Sequence, residues 1–579
     1  MVTASGALIG TSLIVGSQTT SVAQLTIVLA LGVVMAATAA VTGQATTWGN
    51  SRSRSVRCTS ILAQMLLFVV VISSALLVFH KGYPYQNEPF LSKPIQPIIN
   101  SNRVLKQNLG VTSALHSTFR LTNGELHVGD TAHFIIQAKD AEGRNQVTGG
   151  DFWFPVLTTD VGSYPAKGGR TAGKVVDHKN GSYSVFFYAG WEGTAYVHVM
   201  LAASSKATKW LQQKYWPQEK RVFWEGEFSS NSASERTLCY LLRNVTSPNL
   251  CRVDYNPTAM GLTVFYCEKP RILSCNDIQA VHVNPKLIDE RTTQLLSDDK
   301  ELFDNKHFSA VVTHGPASVA VSKTNFVNQS KAPICKPDDQ RLVNDGFWLN
   351  DNWHNLQCKV RRWDDVRAVK NCLRHKHVFI HGDSNVRIWY SVLMKKMGLP
   401  WKHLGKGTTT FMMHDYLKAD EIEMSFYFHP RVVTNKKHTL KTTRYEVDVL
   451  DNIPSDSCGK YIIVLCPWGH FTQWTTESYA ERTQLLKDAV VRFRERCPDV
   501  PIVIKGVHPR EHGSLLGRVY ASDYTIWKLG VILRNTFRGT GVFYYDVWQM
   551  NLAYGTQNIH MPLPVINEEI NWFLSYVCK

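Results

Sequence analysis

The sequence has 579 residues, of which 44% are hydrophobic, so it is long enough for two or three packed domains and its composition excludes a disordered chain. It carries 63 Lys and Arg against 47 Asp and Glu, which gives a formal net charge of +16. The basic residues are dispersed and no nucleic-acid-binding motif accompanies them, so we expect no nucleic-acid partner. A basic surface that faces acidic glycans or an anionic membrane fits the charge better, with plain solubility as the alternative.

The N-terminal extension, residues 1–60, has no charged residue before Arg52 and contains an apolar run at residues 25–41. Residues 61–79 follow as 19 uncharged, mostly apolar residues, which is the length of a bilayer span. More basic residues precede this run than follow it, so the positive-inside rule places the rest of the chain in the lumen or outside. We predict a signal anchor at residues 61–79, and therefore a single-pass membrane protein of the secretory pathway. A cleaved signal peptide, which gives a secreted protein, and membrane insertion of residues 25–41 remain alternatives.

Three glycosylation sequons, at Asn180, Asn244 and Asn328, lie after the predicted anchor, as a lumenal chain requires. Eleven of the twelve cysteines also lie after it, and because eleven is odd one thiol is left over. Cys466 ends an apolar run and is the expected buried free thiol. This leaves ten cysteines for disulfides, whose pairing the sequence does not reveal.

Residues 80–112 contain several prolines and lack periodicity, so we predict a stem. Residues 113–225 are predicted to form an immunoglobulin-like β-sandwich, because short runs of β-favouring residues alternate with turn signals such as an Asn-Gly pair. The predicted strands are residues 132–138, 174–177, 182–188 and 194–201. Aromatic residues such as Tyr183 and Trp191 are candidates for binding a receptor, although core packing is the commoner role.

Residues 226–334 have weak periodicity and four cysteines, which predicts a disulfide-stapled extension. In residues 335–579 apolar strands alternate with amphipathic helices, which predicts an α/β domain with a parallel sheet covered on both faces. The predicted strands are residues 378–381, 461–466, 500–505 and 542–545. Leu486 and Ile566 each lie on the apolar face of a predicted amphipathic helix. Sheets of this kind bind ligands beyond the carboxyl ends of their strands.

The segment from His377 to Arg387 is typical of a buried strand that delivers Ser384 to the start of a helix. Gly382 allows a sharp turn, and the free amides and positive dipole end of a helix N-terminus favour negative charge beside the serine. Acyl transfer has these needs, so Ser384 is the candidate nucleophile and Asp383 is grouped with it as catalytic. The alternative is that Asp383 or Ser384 merely caps the helix.

His560 lies in a loop before the last predicted helix and is the candidate base that takes the proton of Ser384. Arg387, one helical turn after the serine, is a candidate oxyanion or substrate contact, with a salt bridge on the helix surface as an equal alternative. Gly469 and His470 follow a buried strand and are candidate oxyanion groups.

The Gly382-Asp383-Ser384-x-x-Arg387 block and the histidine before the final helix resemble the PC-esterase branch of the GDSL/SGNH hydrolases. The order of stem, immunoglobulin-like module, cysteine-bearing region and this domain resembles the NXPE family, the neurexophilin and PC-esterase domain proteins. The resemblance implies an SGNH-like α/β/α sandwich. It also implies adding or removing acyl groups on lumenal glycans or glycoproteins, since related PC-esterase domains act as sugar O-acetyltransferases.

The sequence departs from the GDSL/SGNH pattern at one position. The last block is usually Asp-x-x-His, but Gln557 stands where the aspartate would orient the histidine. An amide cannot stabilise an imidazolium as a carboxylate does, and replacing such an aspartate costs about 10⁴ in turnover in a serine protease. Asn558, or Asp546 on the preceding strand, is a candidate to orient the ring instead. Without such a substitute, the chain has either a weak dyad or no activity.

We expect no bound cofactor, although a transferase needs an acyl donor such as acetyl-CoA, which another protein would supply to the lumen. We expect no metal site either. Residues 508–512 match the H-x-x-E-H pattern of one zinc peptidase class, but Pro509 and Gly513 oppose the continuous helix that this pattern needs.

Two classes of function follow. The first is a lumenal O-acetyltransferase or acyl-esterase that acts on glycans by a Ser–His mechanism. The second is a catalytically inactive, secreted or membrane-tethered ligand or adhesion protein related to neurexophilins, which binds a receptor through the immunoglobulin-like module.

Overall fold

The computed structural model describes residues 109–160, 168–253, 256–304, 307–323, 332–337, 343–399, 414–430, 444–510, 514–555 and 558–578. The apolar run 25–41, the predicted anchor 61–79 and nearly all of the predicted stem lie outside these ranges. None of the helices in the described ranges combines the length and the hydropathy that a bilayer span requires.

Two sheets share one core in the N-terminal part of the described chain. The four-stranded sheet runs in the order β1 (Thr118–Leu121), β3 (Thr131–Gln137), β7 (Ser182–Tyr188), β6 (Lys174–Asp177). The other sheet contains β2 (Leu126–His127), β4 (Phe152–Thr158), β5 (Arg170–Ala172), β8 (Gly193–Ala203), β14 (Ala310–Val311), β15 (Ser318–Ser322), β16 (Gly346–Leu349) and β17 (Asn352–Asn355). Alternate residues of β3 are buried, and Phe134 and Ile136 join Trp153 and Leu201 of the second sheet in one hydrophobic cluster.

This pair of sheets corrects the expectation that two aromatic residues could bind a receptor, and it includes strands from further along the chain than predicted. Tyr183 is fully buried and Trp191 is 7% exposed, so both aromatic residues pack in the core and neither offers a surface to a receptor. Residues 346–355, which fall in the predicted α/β domain, form strands β16 and β17 beside β5 in the second sheet. The immunoglobulin-like topology stays a prediction.

A third, antiparallel sheet follows in the middle of the chain. Its order is β11 (Leu250–Val253), β12 (Thr263–Glu268), β10 (Ser234–Arg243), β9 (Trp224–Ser229), β13 (Ile278–Val283). The helices of this region are α1 (Ser205–Trp210), α2 (Pro257–Met260) and α3 (Pro285–Leu296).

The C-terminal sheet has six strands, in the order β19 (His414–Ala419), β20 (Ile422–Phe428), β18 (His377–Gly382), β21 (Tyr461–Cys466), β22 (Ile502–Lys505), β23 (Phe543–Tyr545). All neighbouring pairs from β20 to β23 are parallel, and β19 is antiparallel to β20. The predicted parallel strands are therefore present, together with β19 and β20, which the sequence analysis did not predict.

Helices cover both faces of this sheet. They are α4 (Val366–Leu373), α5 (Ser384–Lys396), α6 (Glu446–Asn452), α7 (Thr476–Arg496), α8 (Leu515–Val519), α9 (Asp523–Phe537), α10 (Trp548–Tyr554) and α11 (Leu563–Val577). Along β21, Ile462 and Val464 pack in the cluster that includes α5 and α11, whereas Ile463 and Leu465 pack in the cluster that includes α7 and α9. This division of alternate residues explains why parallel strands of this kind are apolar at nearly every position.

In the described residues five disulfides join ten cysteines, and Cys466 is free and buried, as predicted. The pairs are Cys239–Cys267, Cys251–Cys275, Cys335–Cys358, Cys372–Cys578 and Cys458–Cys497. The first two lie in the region of the middle sheet, and the division of the chain into a separate extension there stays a prediction. So many disulfides indicate a secretory or lumenal chain.

Candidate active site

The candidate nucleophile lies at a tightly packed junction between β18 and α5. Ser384 is the first residue of α5, and Asp383 caps the helix by accepting the backbone N–H of Asn385 at 2.9 Å. Gly382 provides space at this junction, since a Cβ there would lie 2.6 Å from the Cβ of Cys466. Its backbone does not adopt a positive φ, so the expected turn glycine is in fact a packing glycine. Asp383 does cap the helix, as the alternative interpretation held, and the same junction presents Ser384.

Ser384 and His560 are neighbours in the folded chain. Nε2 of His560 lies 2.8 Å from Oγ of Ser384, although 176 residues separate the two in sequence. Both residues are partly exposed. When its proton is on Nδ1, the neutral imidazole accepts the hydroxyl proton of Ser384 at Nε2.

His560 lies in the loop between α10 and α11. Within this loop, Oδ1 of Asn558 accepts the backbone N–H of His560 at 3.3 Å. Asn558 therefore holds the chain that carries the histidine, which is a different role from orienting the ring. Gln557 lies outside the described residues.

The Ser384–His560 pair sits where the strand order reverses. In chain order the parallel strands run 2-1-3-4-5 across the sheet, with β18 between β20 and β21. Ser384 follows β18, and the loop that contains Gly469 and His470 follows β21. Ligands of sheets with this strand order bind in the crevice beyond the carboxyl ends at this point.

Gly469 brings the loop after β21 close to the cap of α5. A Cβ at Gly469 would lie 1.9 Å from Oδ2 of Asp383, so any other residue would push the loop away. Gly469 and His470 are partly exposed, whereas Trp468 and Phe471 on either side are buried. The loop is thus anchored by its aromatic residues and open at its tip.

Several charges act on the imidazole of His560. Burial lowers its pKa from the usual 6.5, the charge of Asp383 raises it, and Arg387 and Arg510 lower it. The net direction is downward. Near neutral pH the ring is therefore mostly in the neutral form that a general base requires.

Arg387 is 8% exposed, so it is not the surface salt bridge that was the alternative interpretation. Its guanidinium lies 5.8 Å from the ring centroid of Phe428. Burial lowers the pKa of Arg387 and the charge of Asp383 raises it. Because an arginine stays protonated in proteins, Arg387 places a fixed positive charge within the electrostatic reach of His560.

His470 is held by a residue that the sequence analysis missed. Nδ1 of His470 lies 2.7 Å from Nε2 of His429, which is fully buried just after β20. The backbone N–H of His429 donates to the carbonyl of Gly382 at 2.8 Å, which ties this histidine to the nucleophile junction. The signal in the sequence was the apolar run of β20 that ends in a histidine, which marks a polar side chain at the carboxyl edge of the sheet.

A buried ion pair that the sequence analysis also missed lies beneath the site. Nζ of Lys505 is 3.3 Å from Oε1 of Glu569, and both side chains have no solvent exposure. Glu569 also accepts the indole N–H of Trp389 at 2.6 Å and the amide of Asn551 at 3.0 Å. The signal was a lysine at the end of an otherwise apolar strand, because a buried lysine requires a partner.

Asp546, the candidate substitute for the missing carboxylate, is engaged elsewhere. It accepts a hydrogen bond from Arg534 at 2.6 Å and another from the backbone N–H of Trp548, the first residue of α10, at 3.0 Å. These contacts give Asp546 a structural role in the turn between β23 and α10.

Of the predicted glycosylation sites, Asn180 and Asn244 are exposed and Asn328 lies outside the described residues. The zinc-like segment begins with His508, which is fully buried and follows β22 in a stretch without helix. No group of three or more potential metal ligands occurs in the part of the chain that the structure describes.

Comparison with known proteins adds two family matches. The model described as "NXPE family member 4-like, C-terminal domain" matches residues 353–578, and the model described as "Neurexophilin" matches residues 150–294. Among solved structures, a chain from a study of FdeC, an Escherichia coli adhesin, matches at 12% identity with a TM-score of 0.13. This match spans 36% of the present chain and 65% of that chain, less than two thirds of its length, and it carries no argument about fold or function.

Proposed function

This chain belongs to the NXPE family, and from that premise we propose that it transfers acyl groups to or from glycans in the lumen of the secretory pathway. Ser384 is the nucleophile and His560 is the general base. The observation that carries the proposal is the 2.8 Å contact between Oγ of Ser384 and Nε2 of His560 at the carboxyl edge of a parallel sheet.

The first half of the reaction forms an acyl-enzyme. Oγ of Ser384 bonds to the acyl carbonyl carbon while its proton passes to Nε2 of His560. The bond from that carbon to the leaving atom then breaks, and the leaving group takes the proton from the imidazolium. The leaving atom is a thioester sulfur if the donor is an acyl-CoA, or a sugar oxygen if the substrate is an O-acylated glycan.

The second half returns the serine. A sugar hydroxyl or a water molecule attacks the acyl carbon and gives its proton to His560, the bond to Oγ breaks, and the proton returns to Ser384. A sugar hydroxyl makes the chain a transferase, whereas water makes it an esterase. The difference depends on which acceptor occupies the crevice.

Three features support stabilisation of the oxyanion. The backbone N–H of Ser384 lies at the first position of α5, where no carbonyl of the helix is available as its partner. The partly exposed tip at Gly469 and His470 lies beside the cap of the same helix. Arg387 adds a buried positive charge nearby. Oxyanion donors of this kind typically contribute about 10²–10³ in rate each.

The lumenal setting is supported by the five disulfides and by the exposed sequons at Asn180 and Asn244. The glycan substrate, the SGNH-like fold and a donor such as acetyl-CoA rest on the family resemblance. Attachment to the membrane through residues 61–79 and delivery of the donor by another protein belong to the same proposal.

Ser384→Ala tests the proposal against a matched control on the same helix, Ser391→Ala. Ser391 is buried and its hydroxyl donates to the carbonyl of Arg387, so its loss perturbs α5 without removing the nucleophile. Both variants and the parent are expressed in cells, and the O-acetyl content of released cell-surface glycans is measured by mass spectrometry. We expect the change that the parent produces to disappear with Ser384→Ala and to persist with Ser391→Ala. A correctly folded and localised Ser384→Ala that still changes acylation as the parent does would overturn the serine mechanism.

The second candidate function is a ligand or adhesion protein without catalysis. It is favoured by Gln557 in place of the usual aspartate and by the match to the neurexophilin model. A fluorophosphonate probe separates the two candidates, because it reacts with an activated serine and not with a capping serine. Labelling of the parent that Ser384→Ala abolishes favours the enzyme, and a parent that stays unlabelled favours the binding protein.

A further inference from the structure

The imidazolium that forms on His560 needs a negative charge close to it, and the usual aspartate of the last block is replaced by Gln557. Asp383 is the carboxylate that the structure places at the nucleophile itself. It is 1% exposed and precedes Ser384 directly, and Ser384 in turn contacts His560 at 2.8 Å.

The surroundings of Asp383 are those of an ionised carboxylate. Oδ1 accepts the backbone N–H of Asn385 at 2.9 Å and lies 3.6 Å from Sγ of Cys466, and Oδ2 accepts the side-chain amide of Asn385 at 3.3 Å. Each of these three contacts is one in which the carboxylate accepts. A protonated acid would have to donate one hydrogen bond, whereas these three contacts all supply donors.

A buried cation favours the same ionised form. Burial raises the pKa of Asp383, and this effect is the largest, so the net direction is upward; the positive charge of Lys505 lowers the pKa, followed by the hydrogen bonds of Asn385 and of Cys466. Burial also raises the pKa of the Cys466 thiol well above its usual range, which keeps the thiol protonated and able to donate. Lys505 is held in place by Glu569, 3.3 Å away on α11.

We infer that Asp383, kept ionised by the buried Lys505–Glu569 pair, supplies the negative charge that stabilises the His560 imidazolium in place of the missing aspartate. The inference rests on the proposed function for its catalytic consequence, but the electrostatic coupling exists whether or not the chain is an enzyme. Asp383 and Lys505 act through His560 and are positioning residues.

Other charged and titratable groups face the same imidazole. They are Arg387 on α5 and Arg510 after β22, which both oppose protonation of His560, and the buried His508, which His560 influences in turn. The pKa of His508 is lowered well below its usual value, first by burial and then by Lys505, so this ring is neutral and adds no charge. Asp383 is therefore the negative charge that opposes two arginines at His560.

Asp383→Asn is the first test, because asparagine is as good a helix cap as aspartate but carries no charge. The titration of His560 is followed by carbethoxylation with diethyl pyrocarbonate, which reacts with the neutral imidazole, and the modified peptide is quantified by mass spectrometry across the pH range. Without the nearby anion the imidazolium is less stable, so we expect carbethoxylation of His560 to persist to lower pH than in the parent. In a chain that fluorophosphonate labels, we also expect the labelling rate to fall by about 10²-fold, less than the roughly 10⁴ lost when a directly bonded triad aspartate is replaced.

Lys505→Met/Glu569→Gln is the second test, because it removes both buried charges together and leaves neither unpaired. If Lys505 acts through Asp383, the titration of His560 moves in the same direction as in Asp383→Asn. If Lys505 acts on the imidazole directly, the titration moves the opposite way, because a repelling cation has been lost. We also expect that adding Asp383→Asn to the double variant moves the midpoint no further, since both changes remove the same charge.

Asp546→Asn is the control that removes a carboxylate outside the pair, and we expect no change in the midpoint of His560. The inference is overturned if Asp383→Asn, with an unfolding midpoint like that of the parent, leaves the titration of His560 unchanged. It is also overturned if Lys505→Met/Glu569→Gln shifts that titration to higher pH. A parent that fluorophosphonate does not label would count against the proposed function, whereas the histidine titration would still decide the inference.

Discussion

Two buried ionic clusters lie on opposite sides of the same parallel sheet. One lies next to the candidate nucleophile, and the other is enclosed by aromatic side chains. The site cluster, Asp383, Lys505 and Glu569, lies on the face of α5 and α11 beneath Ser384. The structural cluster lies on the face of α6 and α7 and consists of His381, Glu446 and Arg482. Its contacts are Arg482 Nη2 to Glu446 Oε2 at 3.1 Å, His381 Nδ1 to Glu446 Oε1 at 3.6 Å, and the Arg482 guanidinium over the rings of Phe471 and Trp474 at 4.6 and 5.3 Å.

The difference between the clusters shows that burial of charge alone does not mark a site. Arg482 contacts aromatic rings and Met260 of α2, so it links the middle region to the C-terminal sheet. Lys505 also lies over an aromatic ring, that of Trp389 at 5.6 Å, but its field reaches the cap of the helix that carries the nucleophile. What distinguishes the site cluster is its proximity to groups that change charge during a reaction.

The largest expected effect comes from breaking each cluster at its carboxylate. Glu446→Ala and Glu569→Ala each leave a buried cation without its partner, so we expect each to lower the free energy of unfolding by about 3–5 kcal/mol. Only Glu569→Ala should also slow fluorophosphonate labelling of Ser384 in the molecules that remain folded. Urea unfolding followed by tryptophan fluorescence gives the first quantity, and the labelling rate without urea gives the second. Equal slowing by both variants would remove the distinction between the two clusters.

A smaller effect is expected from adding one methyl group at the tip of the loop after β21. A Cβ at Gly469 would lie 1.9 Å from the carboxylate of Asp383, so Gly469→Ala should cost about 1–3 kcal/mol through overpacking and slow the labelling of Ser384. Gly459→Ala is the matched control, because nothing lies within 4 Å of the added methyl group. We expect its stability to stay within about 0.5 kcal/mol of the parent and its labelling to be normal. Normal labelling of Gly469→Ala would mean that this loop tip does not take part in the site.

The labelling rate of Ser384 and the free energy of unfolding should depend on pH through different histidines on the two faces of the sheet. The pKa of His560 is lowered by burial and by two arginines, against the charge of Asp383. The labelling rate of Ser384 should therefore begin to fall only when the pH is below 6.5. At still lower pH the imidazole protonates and the labelling rate falls, by about tenfold per unit. A labelling rate that already declines above 6.5 would contradict the direction of this shift.

Stability should fall over an acid window to which a histidine on the other face contributes. Burial lowers the pKa of His381, with Glu446 raising it, so its folded pKa lies below the 6.5 of the unfolded chain. Between these two values the unfolded chain binds more protons, and the free energy of unfolding therefore decreases as the pH falls through that window. His508 contributes in the same direction, because burial also lowers its pKa. His381→Gln should reduce the acid sensitivity of the urea midpoint and leave the labelling profile in place.

Much of the site could be predicted from the sequence because its parts are local. A strand, a helix cap and a serine are adjacent in the chain, so the pattern around Ser384 indicated its place at the carboxyl edge of the sheet. The strand at Tyr461–Cys466 was predicted at the residues where it is found, since a fully apolar run with turn signals leaves little choice. His560 was predicted because it lies in a loop before the last predicted helix, and the resemblance to a family then supported its pairing with Ser384.

The remaining parts depend on long-range contacts that no local pattern encodes. Lys505 and Glu569 pair across 64 residues, so the end of an apolar strand indicates that Lys505 is buried, but no local pattern indicates that Glu569 is its partner. His429 was missed because β20 was not recognised as a strand, so the histidine at its end was not placed at the carboxyl edge of the sheet. Gly382 was predicted for its backbone freedom, but its need comes from Cys466 on the neighbouring strand.

The smallest expected effect is on Cys466→Ala, which removes a weak S–H donor 3.6 Å from Oδ1 of Asp383. Loss of the donor makes the carboxylate slightly harder to keep ionised, so carbethoxylation of His560 should shift in the same direction as in Asp383→Asn but by less. Ile463→Val is the matched control, because it shortens a side chain on the same strand that faces the other cluster. Both variants should lose about 0.5–1.5 kcal/mol of stability. If Ile463→Val moved the titration of His560 as far as Cys466→Ala does, the shift would come from loosened packing of β21, and the separation of the two faces would not hold.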